Sequence, residues 1–152
     1  MTDILVKNAR VIDGTQDRPS DAIDIRLSDG HVQEVGASLS APDTATVIDA
    51  KNSFVMPGLI DAHVHVNAQN ANLKENAALP DAIATVGTMN LMQAMLARGF
   101  TTVRDLGGAS GPLRKAMEMA PVQLPRLNIC GKALSQTGGH TDQRGPLDDR
   151  PV

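Results

Sequence analysis

Leu59-Ile60-Asp61-Ala62-His63-Val64-His65-Val66 is the stretch whose reading decides the fold. Read as an extended chain it puts apolar residues on both faces, the pattern of a strand covered by a layer on each side, as in parallel sheets. It follows Pro57-Gly58, a pair that punctuates the chain. Downstream, Pro80-Asp81 opens a helix, and Thr85, Met89, Met92 and Leu96 recur at i, i+4, i+7 and i+11 as one helical stripe. Gly99 is placed as the C′ residue that ends it. Phe100 to Asp105 reads as a second strand, and Gly107-Gly108 turns the chain into a helix from about Pro112 to Met119, closed by Pro121. Arg126 to Cys130 reads as a third strand, and the Gly-, Pro- and Asp-rich tail from Leu134 to Val152 as loop. A β-α-β-α-β order predicts a parallel sheet with crossover helices, either an open sheet or the opening of a (β/α)₈ barrel. A whole barrel takes about 250 residues, so the length after Gly58 holds roughly three of its eight units.

Upstream the period is that of β structure. Ile4-Leu5-Val6 and Val11-Ile12 read as extended, and Ile23, Ile25 and Leu27 alternate with Asp24 and Arg26. Asp29-Gly30 is a turn signal, with His31 to Val35 as the return strand. Val47 to Ala50 and Ser53 to Met56 give two more short extended pieces. The change of period at Pro57-Gly58 predicts a small β domain over 1–57 and the start of an α/β barrel over 58–152.

Composition narrows the function classes. With 14 Lys plus Arg against 17 Asp plus Glu the net charge is −3, so this is not a basic domain built to hold a nucleic-acid backbone. The only aromatic side chains of the Phe, Tyr and Trp type are Phe54 and Phe100, too few for a base-stacking surface. No run approaches the roughly 18 apolar residues of a membrane span. The start Met1-Thr2-Asp3-Ile4-Leu5-Val6-Lys7 lacks the pattern of a secretory leader, and Cys130, the single cysteine, excludes an internal disulfide. The expected location is cytoplasmic, with no nucleic-acid or membrane partner.

The chemistry sits in Asp61-Ala62-His63-Val64-His65. Residues two apart on a strand point to one face, so His63 and His65 project together, while Ala62, Val64 and Val66 face the other way. Two imidazoles fixed side by side can chelate a divalent transition metal. They do not complete a site, because a catalytic zinc takes a third protein ligand and an open position. The bland alternative is a pair of satisfied core histidines. What favours a site is the position at the end of the first strand, since barrel chemistry gathers at the C-terminal ends of strands.

The run Val55-Met56-Pro57-Gly58-Leu59-Ile60-Asp61-Ala62-His63-Val64-His65 resembles the signature of the amidohydrolase superfamily. The segment before it resembles the small β-sandwich those enzymes carry beside the barrel. Ala97 to Gly108 is similar to the second-strand pattern of the branch holding imidazolonepropionase-like enzymes and Xaa-Pro or Xaa-Arg dipeptidases, and Ser135-Gln136-Thr137-Gly138-Gly139-His140 to that branch's loop after strand three. The resemblance implies a site of two divalent metals, usually zinc, with His63 and His65 on one of them. A bridging carboxylated lysine on strand four, two histidines on strands five and six, and an aspartate on strand eight would all lie beyond Val152. It also implies a water-driven hydrolysis of an amide or peptide bond in a dipeptide or N-acyl amino acid. A cyclic amidase of imidazolonepropionase type is the runner-up, and a non-catalytic fragment or degenerate binding module the reading outside enzymes. A homo-oligomer is expected, with the remaining barrel on the rest of the chain, and this stretch alone is expected to be inactive.

Two further residues are candidates. His140, after Gly138-Gly139, is placed by the resemblance to hold a substrate's α-carboxylate, against a solvated loop histidine. Asp105, at the end of the second strand, is a candidate to orient a metal-bound histidine from behind, against a structural hydrogen bond to loop backbone. Asp61 reads as tying the barrel bottom together or hydrogen-bonding nearby backbone, Arg144 as an exposed loop arginine, and Cys130 as a buried, inert thiol. The glycines at 107, 108 and 111 match neither phosphate-loop fingerprint.

Overall fold

The computed structural model describes residues 3–139. It divides into two compact units, Met1–Pro57 and Gly58–Val152. Together they make a mixed α/β chain with two separate sheets.

In the first unit, β1 (Asp3–Val11) pairs antiparallel with β2 (Ala22–Ser28), which pairs antiparallel with β3 (His31–Gly36). β4 (Thr46–Asp49) and the short β5 (Phe54–Val55) both run parallel to β1. The five strands share one hydrogen-bonded sheet, and among the described residues this single sheet is what stands where a sandwich was expected. Leu5, Ala9 and Ile25 form its buried apolar centre. A bulge interrupts the β1–β2 register between Val6 and Ala9, where Asn8 takes a φ of 55°. Asparagine tolerates that left-handed conformation better than most residues. The displaced Asn8 N–H finds the buried Asp24 carboxylate at 3.1 Å, and the second Asp24 oxygen accepts the Leu39 N–H at 3.1 Å. A buried carboxylate is thus satisfied by backbone donors rather than left to bear its desolvation alone.

The second unit is built on β6 (Leu59–Val64), β7 (Phe100–Asp105) and β8 (Arg126–Ile129), adjacent in chain order and all parallel. α1 (Leu73–Ala78) and α2 (Asp81–Ala97) lie between the first two strands, and α3 (Gly111–Glu118) between the last two. Ser110 caps α3 by accepting the Leu113 N–H at 3.2 Å, with Pro112 in the first turn where its missing N–H matters least. Val66, Met92, Met95, Val103, Ala109, Met117 and Leu127 make the core.

Two sequence expectations, the α2 stripe and the burial of Cys130, are corrected here. The α2 face that packs is Thr88, Met92 and Met95, so the helix is rotated from the expected Thr85–Leu96 stripe, and Thr85 and Leu96 are only half-buried. The sequence reading placed no helix at α1; its signal was Asn72-x-x-Glu75, in which Asn72 Oδ1 accepts the Glu75 N–H and Asn72 Nδ2 donates to Glu75 Oε1. Cys130 is exposed rather than buried, because the alternation that buries Leu127 puts Cys130 in line with exposed Arg126 and Asn128. Among the described residues β6 is left partly uncovered: Ile60 is 70% exposed and Leu59 39%.

Candidate metal centre

The histidine pair sits where β6 leaves its sheet. His63 is the next-to-last strand residue, and His65 lies one residue past the end. The register carries one extra residue on β6: Asp61 faces Val103 and Val64 faces Asp105, three steps against two. Such a bulge frees main-chain groups that must find other partners. They do. The His63 N–H donates to Asp61 Oδ1 at 3.1 Å, and the Ala62 carbonyl accepts from Arg104 Nε at 2.9 Å. Asp61 is therefore the backbone-binding residue that sequence suggested. Ala62 and His63 are both exposed at the bulge, whereas Val64 is half-buried and Val66 fully buried.

The pair nonetheless comes together. The imidazole centres of His63 and His65 are 5.6 Å apart, with the ring planes at 78°. A zinc–nitrogen bond of about 2.1 Å puts each ring centre about 3.2 Å from the ion, so two ligands at a tetrahedral angle stand about 5.2 Å apart. The observed spacing fits that donor set with a small adjustment of side-chain angle.

His65 is also oriented. Its Nδ1 lies 3.0 Å from the Gly107 carbonyl oxygen. A carbonyl only accepts, so Nδ1 carries the hydrogen and Nε2 keeps its lone pair for a cation. Metal-ligating histidines are commonly fixed through their other nitrogen in this way. Both rings are exposed, so the described residues set no wall to exclude water. Among those residues no third His, Cys, Asp or Glu joins the pair in a metal-binding group.

Asp105 is fully buried at the end of β7. Its Oδ2 accepts the Val66 N–H at 2.7 Å, and its Oδ1 accepts the N–H groups of Gly107 at 2.9 Å and Ala109 at 3.1 Å. Its hydrogen bonds run to main-chain amides, and the direct histidine contact considered from sequence is not among them. His140 and Arg144 lie outside the described residues. Sequence reasoning missed the Gly107 carbonyl and the Arg104 brace. A strand-ending Asp followed by Gly-Gly does signal an Asx-type turn over 105–109, but nothing local points to residues 42 positions away.

The chain belongs to the amidohydrolase family, whose pattern matches residues 54–150. A dihydroorotase of Citrifermentans bemidjiense is 37% identical over 107 residues, covering 70% of this chain and 22% of that protein. Among solved structures, a prolidase complexed with N-methylphosphonate-L-proline is 40% identical with a TM-score of 0.87, over 97% of this chain and 36% of that one. An Xaa-Pro dipeptidase with methionine bound in its active site is 27% identical with a TM-score of 0.76, over 99% of this chain and 38% of that one. The chain thus spans between a fifth and two fifths of these relatives' lengths. No helix among the described residues is long and apolar enough to cross a membrane.

Proposed function

We propose that this chain forms the opening portion of a metal-dependent hydrolase that cleaves the amide bond of a dipeptide or N-acyl amino acid. In this reading 1–57 belongs to a small β-sandwich and 58–152 to the first units of a (β/α)₈ barrel completed by further chain. The exposed apolar side chains of β6 support it, since parallel sheets bury both faces. The observation that carries the reading is the histidine pair, spaced for one cation at the C-terminal end of the first parallel strand, with His65 already turned to offer Nε2. The similarity to the prolidase, longer in coverage and higher in identity than that to the dihydroorotase, favours a substrate with a free carboxylate on the leaving side.

His63 and His65 would hold one of two divalent metals, zinc by the family's habit. The chemistry such a metal would supply there is activation of water as a nucleophile at neutral pH. The chain's own part is preparatory: the bulge fixes His63, the Gly107 carbonyl selects the His65 tautomer, and His140 would hold the substrate carboxylate. The exposed rings support the view that this stretch alone is inactive. The whole protein is read as a cytoplasmic homo-oligomer. The dihydroorotase relatives support a second reading, a cyclic-amide hydrolase.

Metal analysis of the intact protein tests this. Wild type should hold about two zinc ions per site, and His63→Ala and His65→Ala should each lose metal and most turnover on a panel of Xaa-Pro dipeptides. Wild-type metal content in both variants would reject the ligand assignment. Turnover of dihydroorotate but no dipeptide would select the second reading.

A further inference from the structure

We infer that Asp105 is a positioning residue for His65, acting through the main chain on both sides of the ring. The inference rests on the metal-site reading above. Two routes lead from the Asp105 carboxylate to the same imidazole. Along the chain, Oδ2 holds the N–H of Val66, the residue directly after His65, at 2.7 Å. Across the turn, Oδ1 holds the N–H of Gly107 at 2.9 Å and of Ala109 at 3.1 Å, and the Gly107 carbonyl accepts the His65 Nδ1–H at 3.0 Å. One buried group thereby ties the His65 backbone to the turn that carries the Gly107 carbonyl, a turn also braced by the Gly108 N–H donating to the Gly131 carbonyl at 3.2 Å. All three of its neighbours are donors, so both oxygens serve as acceptors, and a carboxylate is the side chain of this length with acceptors only. Its full burial makes the arrangement rigid, since exchange with water is closed off. Asparagine would turn an NH₂ toward at least one N–H and lose that bond.

A merely structural staple would affect stability alone. A positioning residue also sets the His65 tautomer before any metal arrives, and this is measurable on metal-free protein. In long-range ¹H–¹⁵N spectra of histidine-labelled intact protein near pH 8, wild-type His65 should be the Nδ1–H tautomer. Asp105→Asn should give a mixture of tautomers at His65 and bind zinc about 10–100-fold more weakly in a chelator competition. Asp105→Glu, which keeps two acceptor oxygens, should restore part of both. An Nε2–H tautomer at His65 in wild type overturns the inference whether or not any variant folds. So does an Asp105→Asn protein with the wild-type tautomer and zinc affinity, even with a lowered melting temperature. If wild type binds no zinc, the hydrolase reading falls, and the tautomer of His65 in wild type and variant then decides the clamp by itself.

Discussion

Gly108 is where backbone conformation and the candidate site meet, and Gly108→Ala separates two physical terms. Its φ of 112° lies in a region L side chains rarely adopt, and a Cβ there would stand 2.8 Å from Asn67 Oδ1 and 3.1 Å from Asn67 Nδ2. Holding a residue in such a backbone region costs about 1–3 kcal/mol. Relieving the contact requires the Asn67 amide to retreat by roughly half an ångström, a torsional adjustment of about 0.5–1.5 kcal/mol. The sum is about 1.5–4.5 kcal/mol. Gly131→Ala is the control, because Gly131 has a φ of 81° but nothing within 4 Å of its would-be Cβ, so it pays the backbone term alone. Urea unfolding of the intact protein, with midpoints compared at equal slope, measures both. Gly108→Ala should exceed Gly131→Ala by about 0.5–1.5 kcal/mol, and adding Asn67→Ala should remove most of that excess by relieving the contact. Equal losses in the two glycine variants would refute the contact term, and no loss in either would refute the backbone term.

Two further outcomes are expected in the same protein. Met92→Ala empties a fully buried position in the second unit's core and should cost about 2–5 kcal/mol in urea unfolding; a loss below 1 kcal/mol would mean the site collapses around the gap or is less packed than described. The Asp49 carboxyl is held below its ordinary pKa first by the Asn8 side-chain amide, at 2.9 Å, and then by the Lys51 N–H. Asn8→Gly keeps the positive φ and should let the Asp49 pKa rise toward 3.8 in a carboxyl NMR titration. A depressed carboxyl stabilises above its unfolded pKa and loses that contribution as pH falls through the folded value, so the variant should show less acid-dependent loss from this group below about pH 4. An unmoved Asp49 titration would show that the Asn8 bond does not set it.

Much of the candidate site was legible because its signals are short-range. His63 and His65 are two residues apart, and the strand before them announces itself by its apolar run. Yet the reason given from sequence, regular alternation, is not the one that operates. A bulge at Ala62 and His63 breaks the alternation, and side chains from Asp61 and Arg104 make the break tolerable. The α2 stripe shows the same limit: period 3.6 identified a helix, but Met residues lie around enough of its circumference that the packing face was read one step off.

The order of strands and helices, the change of period at Pro57-Gly58 and the family signature around the histidines are properties of neighbouring residues, fixed by torsional preference and local alternation of apolar groups. Tertiary structure decided the rest. Val66 finds Asp105 39 residues away, His65 finds Gly107 42 residues away, and Arg104 reaches back over the same interval to Ala62. Those pairings depend on how β6 and β7 align and where the extra residue falls, and strand register is set by the packing of whole side-chain faces rather than by any single window of the chain.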